Sequence, residues 1–276
     1  MNKIGLIIPD ATNQYFSSIA NCFQKEYSKH DIGVMVVDSN NNKAHELRNI
    51  NLLSNIDIAG LVFISVGDNG DAFKLLSQLK VPLLILDREI PLDYADFLIN
   101  HDSLGIRIGL DYLFGLNHRK IAFIKGDLKT APGRERYKTF RETFAEYKYD
   151  LDERLIFEGD FMFGSGNVAA ESISKLDKKI QPTAIFASND IMALGILQRL
   201  QELGYRIPGD FSLLGYDDIQ LCSWVHPKLS TIRQDIMEFA MQGVQLLNDR
   251  IENPNRNSKV KIIIPQLVKR DSCVKI

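Results

Sequence analysis

Four short stretches of this chain carry polar side chains in combinations suited to chemistry. Asn13-Gln14-Tyr15-Phe16 follows the apolar run Ile4–Ile8, and Asp87-Arg88 follows Leu83–Leu86. Ser188-Asn189-Asp190 follows Thr183–Ala187, and Asp217-Asp218 follows Phe211–Gly215. Amides, carboxylates and a guanidinium beside aromatic rings suit recognition of a small hydroxylated molecule. Each hydroxyl needs both a donor and an acceptor, and an aromatic face covers the C–H surface. Each side chain also has a plainer reading. Taken alone, Asn13 and Asn189 read as helix N-caps, Asp87-Arg88 as a surface ion pair, Tyr15 as a core aromatic, and Asp218 as a turn or capping residue.

The elements that must position these residues tip the balance. Ile4–Ile8 is followed by a helix from about Gln14 to Lys29, with Phe16, Ile19, Ala20, Phe23 and Tyr27 on one face. The strand Gly33–Val37, a helix over Lys43–Ser54, the strand Gly60–Ile64, a helix over Asp71–Leu79 and the strand Leu83–Leu86 continue the alternation. After Phe97–Asn100 the pattern begins again. A helix over Leu104–Leu116 leads to the strand Ile121–Lys125, then come helices over Arg134–Tyr147 and Ser165–Leu176 around a short strand Leu155–Glu158, and the unit from Thr183 to Gly215. Strands buried on both faces give such unbroken apolar runs, and the alternation predicts an α/β fold with two doubly wound parallel-sheet lobes, joined near His101-Asp102. Such sheets bind ligands outside the carboxyl ends of their strands. Asn13, Tyr15, Phe16, Asp87, Arg88, Asn189, Asp190 and Asp217 all fall there. A last helix, Asp235–Ile251, and two extended runs, Lys259–Ile264 and Gln266–Lys269, could complete either lobe on periodicity alone.

Composition narrows the function classes. A chain of 276 residues suits about two domains. A formal net charge of −2 leaves no footprint for gripping a phosphate backbone, so this chain alone is not expected to hold DNA. Cys22, Cys222 and Cys273 are scattered, and His30, His45, His101, His118 and His226 stand apart, so no metal site is expected. The N-terminus is a first strand rather than a signal peptide, and no apolar run approaches the ~18 residues of a membrane span. Cytoplasmic location is expected, although a secreted protein stripped of its signal would look the same. Gly164-Ser165-Gly166-Asn167-Val168-Ala169 fits a dinucleotide fingerprint, yet Phe186-Ala187 stands where the ribose-binding acid belongs. The glycines therefore read as a helix start, with no cofactor expected. Walker A, HExxH and GxSxG motifs are absent from the sequence, and the expectation is a protein that is not an enzyme.

More specific runs are Ser188-Asn189-Asp190 with Met192-Ala193-Leu194-Gly195, Arg206-Ile207-Pro208, Gly215-Tyr216-Asp217-Asp218-Ile219, Pro227-Lys228-Leu229-Ser230-Thr231-Ile232-Arg233-Gln234 and Leu267-Val268-Lys269-Arg270. On these, from about Lys3 to Cys273, the chain resembles the effector-binding core of the lactose/galactose repressor (LacI/GalR) family, and more distantly the ribose-binding-protein-like sugar receptors. The resemblance implies a type I periplasmic binding protein-like fold with a hinge. Its lobes would be 1–101 with about 236–262, and 103–234 with about 264–276. It also implies the ligand-sensing core of a transcriptional regulator, binding a small sugar, ribose-like by preference, in the interlobe cleft and switching by hinge closure. The alternative is the solute-binding receptor of a sugar ABC transporter, against which Pro227–Gln234 speaks. Operator DNA would be reached only through an N-terminal helix-turn-helix, missing here because the first strand starts almost at Met1. A homodimer is implied through Leu221-Cys222-Ser223-Trp224-Val225-His226, whose plainer reading is a buried loop.

The same resemblance adds Arg136, Phe161 and Gln234 to the site, because Arg136-Tyr137-Lys138-Thr139-Phe140, Gly159-Asp160-Phe161 and Thr231-Ile232-Arg233-Gln234 match the family's contact positions. The expected ligand set is Asn13, Tyr15, Phe16, Asp87, Arg88, Arg136, Phe161, Asn189, Asp217 and Gln234. Two departures stand out. Thr139 replaces a usual glycine, and Asn13-Gln14-Tyr15-Phe16 replaces a frequent Asn-Pro-Phe-Phe, which loosens the helix start and adds the Tyr15 hydroxyl. Asp87 and Asp217 could in principle act as a glycosidase pair. Arg88 and Arg136 would hold them ionised, which favours hydroxyl acceptance over acid catalysis.

Overall fold

Runs of isoleucine, leucine, valine and phenylalanine without polar alternation form strands covered on both faces. The structure, a computed structural model, describes residues 3–88 and 90–276. In chain order it contains β1 (Lys3–Ile8), α1 (Gln14–Ser28), β2 (Gly33–Asp38), α2 (Lys43–Ser54), β3 (Gly60–Phe63), α3 (Gly70–Leu76), β4 (Leu83–Leu86) and β5 (Asp96–Asn100). There follow α4 (Asp102–Gly115), β6 (Ile121–Ile124), α5 (Ala131–Glu146), β7 (Ile156–Phe157), α6 (Phe163–Ser174), β8 (Ala184–Ala187), α7 (Asp190–Glu202) and β9 (Ser212–Asp217). The chain ends with β10 (Ser230–Arg233), α8 (Ile236–Glu252), β11 (Val260–Ile263) and β12 (Gln266–Val268).

These elements form two units, Met1–Asn100 with Asp235–Ile263, and His101–Gln234 with Ile264–Ile276. The first holds a six-stranded sheet in the order β11-β5-β4-β3-β1-β2, with every pair parallel. The second holds a six-stranded sheet in the order β12-β10-β9-β8-β6-β7, in which only the β10–β12 pair is antiparallel. This is the expected α/β doubly wound architecture, made twice. In each sheet the winding reverses beside the first strand, between β1 and β3 and between β6 and β8. Chain connections on the two sides of such a reversal diverge, opening a crevice at the strands' carboxyl ends.

Packing explains which late segment joins which sheet. Asp96, at the start of β5, is fully buried, and burial would raise its pKa. Hydrogen bonds from Arg256 and Arg250 outweigh that and hold it below the ordinary carboxylate value. Arg250 Nη2 lies 2.7 Å from Asp96 Oδ1, and the Lys259 amide donates to the same oxygen at 2.8 Å, so α8 and β11 are tied to the first unit. In the second unit Ser272 Oγ donates to the Leu213 carbonyl at 2.6 Å and accepts from the Ser230 amide at 2.8 Å. Hydrophobic alternation carries no trace of such polar ties.

Two strands differ from their expected form. β9 runs on to Asp217, so that residue ends the strand instead of following it. β10 is legible in the sequence only as part of a family motif, because its Ser230 and Thr231 interrupt the apolar run. Both are nonetheless fully buried, with their polar atoms hydrogen-bonded.

The glycines of the dinucleotide-like motif lie inside α6, not in a phosphate-binding turn. A Cβ on Gly166 would stand 2.2 Å from the Met192 carbonyl oxygen, so this glycine sets the close approach of α6 to α7. A Cβ on Gly164 would meet nothing within 4 Å. Gly166→Ala is expected to destabilise the protein by about 1–3 kcal/mol through overpacking. Gly164→Ala should be neutral or stabilise it by up to about 1 kcal/mol through helix propensity. Urea denaturation of the two variants checks this, and equal effects would contradict the packing account.

Candidate functional site

In the first unit the expected residues gather where β1, β4 and β5 end. Asn13 has extended backbone and caps α1, its Oδ1 accepting from the Tyr15 amide at 3.0 Å. That cap turns Tyr15 and Phe16 inward on the first helical turn, where both are buried with rings packed edge to face at 5.2 Å. The Tyr15 hydroxyl donates to Asp87 Oδ1 at 3.0 Å and accepts from Asn100 Nδ2 at 2.9 Å. The hydroxyl that distinguishes Asn-Gln-Tyr-Phe from Asn-Pro-Phe-Phe thus joins the ends of β1, β4 and β5. Arg88 Nε stands 3.8 Å from Asp87 Oδ2, and its guanidinium lies 5.6 Å from the centre of the Phe16 ring. Asp87 and Arg88 are 8% and 6% exposed, which overturns the surface ion-pair reading.

In the second unit the expected residues gather around one buried guanidinium. Arg136 projects from α5, whose start is fixed by Thr130 capping the Gly133 amide. Its Nε donates to Asp102 Oδ1 at 2.7 Å, its Nη1 to the Ser188 carbonyl at 2.7 Å, and Nη1 also stands 3.7 Å from Asp217 Oδ1. The guanidinium rests 3.8 Å from the Tyr216 ring centre, a desolvated cation–π contact worth about 2 kcal/mol. The Tyr216 hydroxyl donates to Asp102 Oδ1 at 3.0 Å. Gln234 Nε2 donates to Asp217 Oδ1 at 2.6 Å. Asn189 caps α7, accepting from the Met192 amide at 2.9 Å, and its Nδ2 donates to the Phe161 carbonyl at 2.9 Å. Thr139, in place of the usual glycine, is buried on α5 and leaves Arg136 in this network.

Three of the same residues have strained backbone. Asp87, Phe161 and Asp217 have φ of 64°, 68° and 118°. Each such residue costs about 1–3 kcal/mol, which the surroundings must offset. Phe161 is the least tolerant type, and its ring lies against Gly126, where a Cβ would come within 2.0 Å of it.

Sequence reasoning missed Asp102, Tyr216, Asn100 and the Ser188 carbonyl. Asp102 is visible in the sequence only as a lobe junction and Tyr216 only as a motif letter. Asp190 is a correction: it does not reach the ligand edge. As the first residue of α7 it turns beneath the sheet, where it is fully buried, accepting from Thr231 Oγ1 at 2.6 Å and from the Ile219 amide at 3.0 Å. Burial pushes its pKa up to about 7 against the opposing hydrogen bonds, and the neighbouring Cys222 thiol is also raised by burial. Asp218 stands in the turn after β9 with φ of 59° and caps no helix; it is an ion-pair centre, 2.7 Å from Arg233 Nε and 2.5 Å from Arg270 Nη2. In the segment 221–226, Cys222 is buried while Trp224 is 65% exposed, so the segment is only partly a buried loop.

Known proteins resemble this chain in sequence and fold. The family model described as a periplasmic binding protein-like domain matches residues 110–273. The ribose operon repressor of Haemophilus influenzae is 29% identical over 269 residues, covering 98% of this chain and 80% of that protein. The transcriptional repressor PurR of Vibrio cholerae is 28% identical over 270 residues, with the same coverage of 98% and 80%. The crystal structure of a LacI family transcriptional regulator from Enterococcus faecium with bound ribose superposes with a TM-score of 0.88 at 25% identity, over 100% of both chains.

The buried Asp190 makes a pH prediction. Its folded-state pKa, about 7, lies above its unfolded value, so its contribution to stability is fully present below about pH 4 and is lost as pH rises towards 7. The slope is at most about 1.4 kcal/mol per pH unit. Asp190→Asn should flatten the decline of unfolding free energy between about pH 4 and 7 relative to the wild type. Chemical denaturation across that range checks this, and parallel profiles would contradict it.

Proposed function

Because the chain belongs to the periplasmic binding protein-like domain family and is a LacI-type ligand-binding core, we propose that it senses a small neutral sugar, with D-ribose the first candidate. The observation that carries this reading is the pair of buried polar clusters at the strands' carboxyl ends, each with an aromatic ring beside a guanidinium. The charge count favours a neutral ligand. Arg136 faces Asp102 and Asp217, and Arg88 faces Asp87, so these residues hold no surplus positive charge for a phosphate or carboxylate. Carboxylates fixed in this way accept from sugar hydroxyls through charge-assisted hydrogen bonds. The Haemophilus and Vibrio relatives are regulators, which favours sensing over transport. The ribose in the Enterococcus faecium structure and the name of the Haemophilus relative support ribose over other sugars.

In this proposal the sugar takes Asn13, Tyr15, Phe16, Asp87 and Arg88 from the first unit and Arg136, Phe161, Asn189, Asp217 and Gln234 from the second. A ligand that engages both binds their closed arrangement better and shifts the hinge equilibrium. About 5 kcal/mol of differential affinity converts a mainly open population to a mainly closed one, within reach of several charge-assisted hydrogen bonds. The core has a net charge of −2 and takes the sensing role; operator contact would come from a DNA-reading element joined to it, acting in the cytoplasm. Pairing of two cores would use the exposed Trp224 and its neighbours Leu221 and Val225.

Calorimetry is expected to show saturable, one-site binding of D-ribose and at least about tenfold weaker binding of D-ribose 5-phosphate, whose dianion meets Asp87 and Asp217. Asp87→Asn keeps a residue type that tolerates positive φ and should lose about tenfold or more in ribose affinity with its thermal midpoint nearly unchanged. Tighter binding of the phosphate ester, or wild-type affinity in Asp87→Asn, would remove this reading. Light scattering should give twice the chain mass, and Trp224→Ser should lower it towards the monomer.

A further inference from the structure

Away from the strand-end clusters, two carboxylates in the first unit are fully buried: Asp96, already accounted for by its arginine ties, and Glu46, in the first turn of α2. It belongs to no motif, and nothing about hydrophobic spacing calls for an acid at that position. Its two oxygens point at two donors on the loop that leaves β3. Oε2 accepts from the Val66 amide at 2.6 Å and Oε1 from Asn69 Nδ2 at 2.8 Å. Asn69 Nδ2 also donates to the Lys43 carbonyl at 3.3 Å, and Ser65 Oγ braces the loop from within through the Gly67 carbonyl at 2.6 Å and amide at 3.1 Å. The loop so held presents the Ser65 carbonyl, which accepts from Arg88 Nη1.

The chemistry of the position demands an anion with two acceptors. A glutamine could accept from the Val66 amide only with its NH2 group towards Asn69, whose amide would then have to flip and give up its bond to the Lys43 carbonyl, or else set donor against donor in a site closed to water. Burial raises the Glu46 carboxyl pKa, opposed by the Val66 amide, by Asn69 and by the Arg88 charge, so guanidinium and carboxylate stabilise each other's charged form. Asp87, the residue before Arg88 in the chain, stands beside it with Oδ2 3.8 Å from Nε.

We infer that Glu46 is the positioning residue for Arg88: through the loop 65–69 it fixes the carbonyl that orients the guanidinium, and it shares with Asp87 the balancing of its charge. The affinity consequence rests on the sugar-sensing reading, whereas the orientation of Arg88 does not.

Two measurements separate these. In the 15N-labelled protein the Arg88 Nε–Hε resonance, assigned by its loss in Arg88→Lys, should be sharp and slow to exchange. Glu46→Gln should shift it and speed its exchange about tenfold or more, while the amide spectrum of the second unit stays in place. Glu46→Gln should also weaken D-ribose binding about tenfold or more. The double variant Glu46→Gln/Asn69→Asp, which moves the carboxylate to the other side of the same hydrogen bond, should recover most of both. An unchanged Arg88 resonance in folded Glu46→Gln overturns the inference. Should Glu46→Gln fail to fold, Asn69→Ala removes one of the two anchoring donors and should move the same resonance; an unchanged resonance there overturns the inference equally. If the wild type binds no ribose while the resonance moves as expected, the sugar reading falls and the positioning role stands.

Discussion

A guanidinium withdrawn from water must find acceptors for its donors and a carboxylate for its charge, because an unpaired buried ion costs several kcal/mol. That requirement shapes the carboxyl ends of both sheets. Arg136 is met by Asp102 from α4, the Ser188 carbonyl at the end of β8 and Asp217 at the end of β9. Three elements distant in sequence are thereby held in one place. Arg88 draws together its neighbour Asp87 and the Ser65 carbonyl at the end of β3. A third guanidinium, Arg250, does the same at the opposite end of β5 with Asp96, and there the result is structural attachment alone. The difference lies in where each sits: Arg88 and Arg136 stand beside the strand ends at which a wound sheet opens.

The same networks make the strained backbone tolerable. Phe161 with φ of 68° is unfavourable for a bulky side chain, yet its carbonyl is held by Asn189 and its ring packs on Gly126. Asp217 with φ of 118° is held through its backbone carbonyl by the Gln234 amide at 3.2 Å and through its side chain by Gln234 Nε2. A neutral hydrogen bond is worth about 0.5–1.5 kcal/mol and the one to the Asp217 carboxylate about 1.5–3 kcal/mol, comparable with the strain they offset. At these strand ends the strained backbone aims side chains that a relaxed turn would point elsewhere.

How far this is legible in the sequence depends on the kind of force involved. The sheets are readable because strands buried on both faces must be continuously apolar, as in Leu83–Leu86 and Ile121–Ile124. The strand-end residues are readable because the winding rule locates the carboxyl edge of the sheet without knowledge of side-chain contacts. Arg136, Phe161 and Gln234 come only from a family resemblance; they lie on a helix, in a loop and after a hydroxyl-rich strand, where no periodicity marks them. Asp102, Tyr216 and Glu46 carry no local signal at all. Their roles arise from partners distant in sequence, such as Arg136 for Asp102 and Val66 for Glu46.

Asn189 and Asp190 show why neighbouring polar residues in one motif take opposite roles. Asn189 is the cap of α7, with φ of −153° and ψ of 167°, so its side chain stays at the sheet edge. Asp190 is the first helical residue, and a step of ~100° around the helix carries its side chain from the edge to the underside of β9. Room for it exists only because residue 215 is glycine, where a Cβ would fall 2.1 Å from Asp190 Oδ1. From there the carboxylate holds Thr231 on β10 and the Ile219 amide, gripping the chain on both sides of the Asp217-Asp218 turn. The acid that the sequence offered as a contact is therefore buried below the strand-end edge. Its burial explains both its raised pKa and how Asp217 keeps an orientation that its own backbone disfavours.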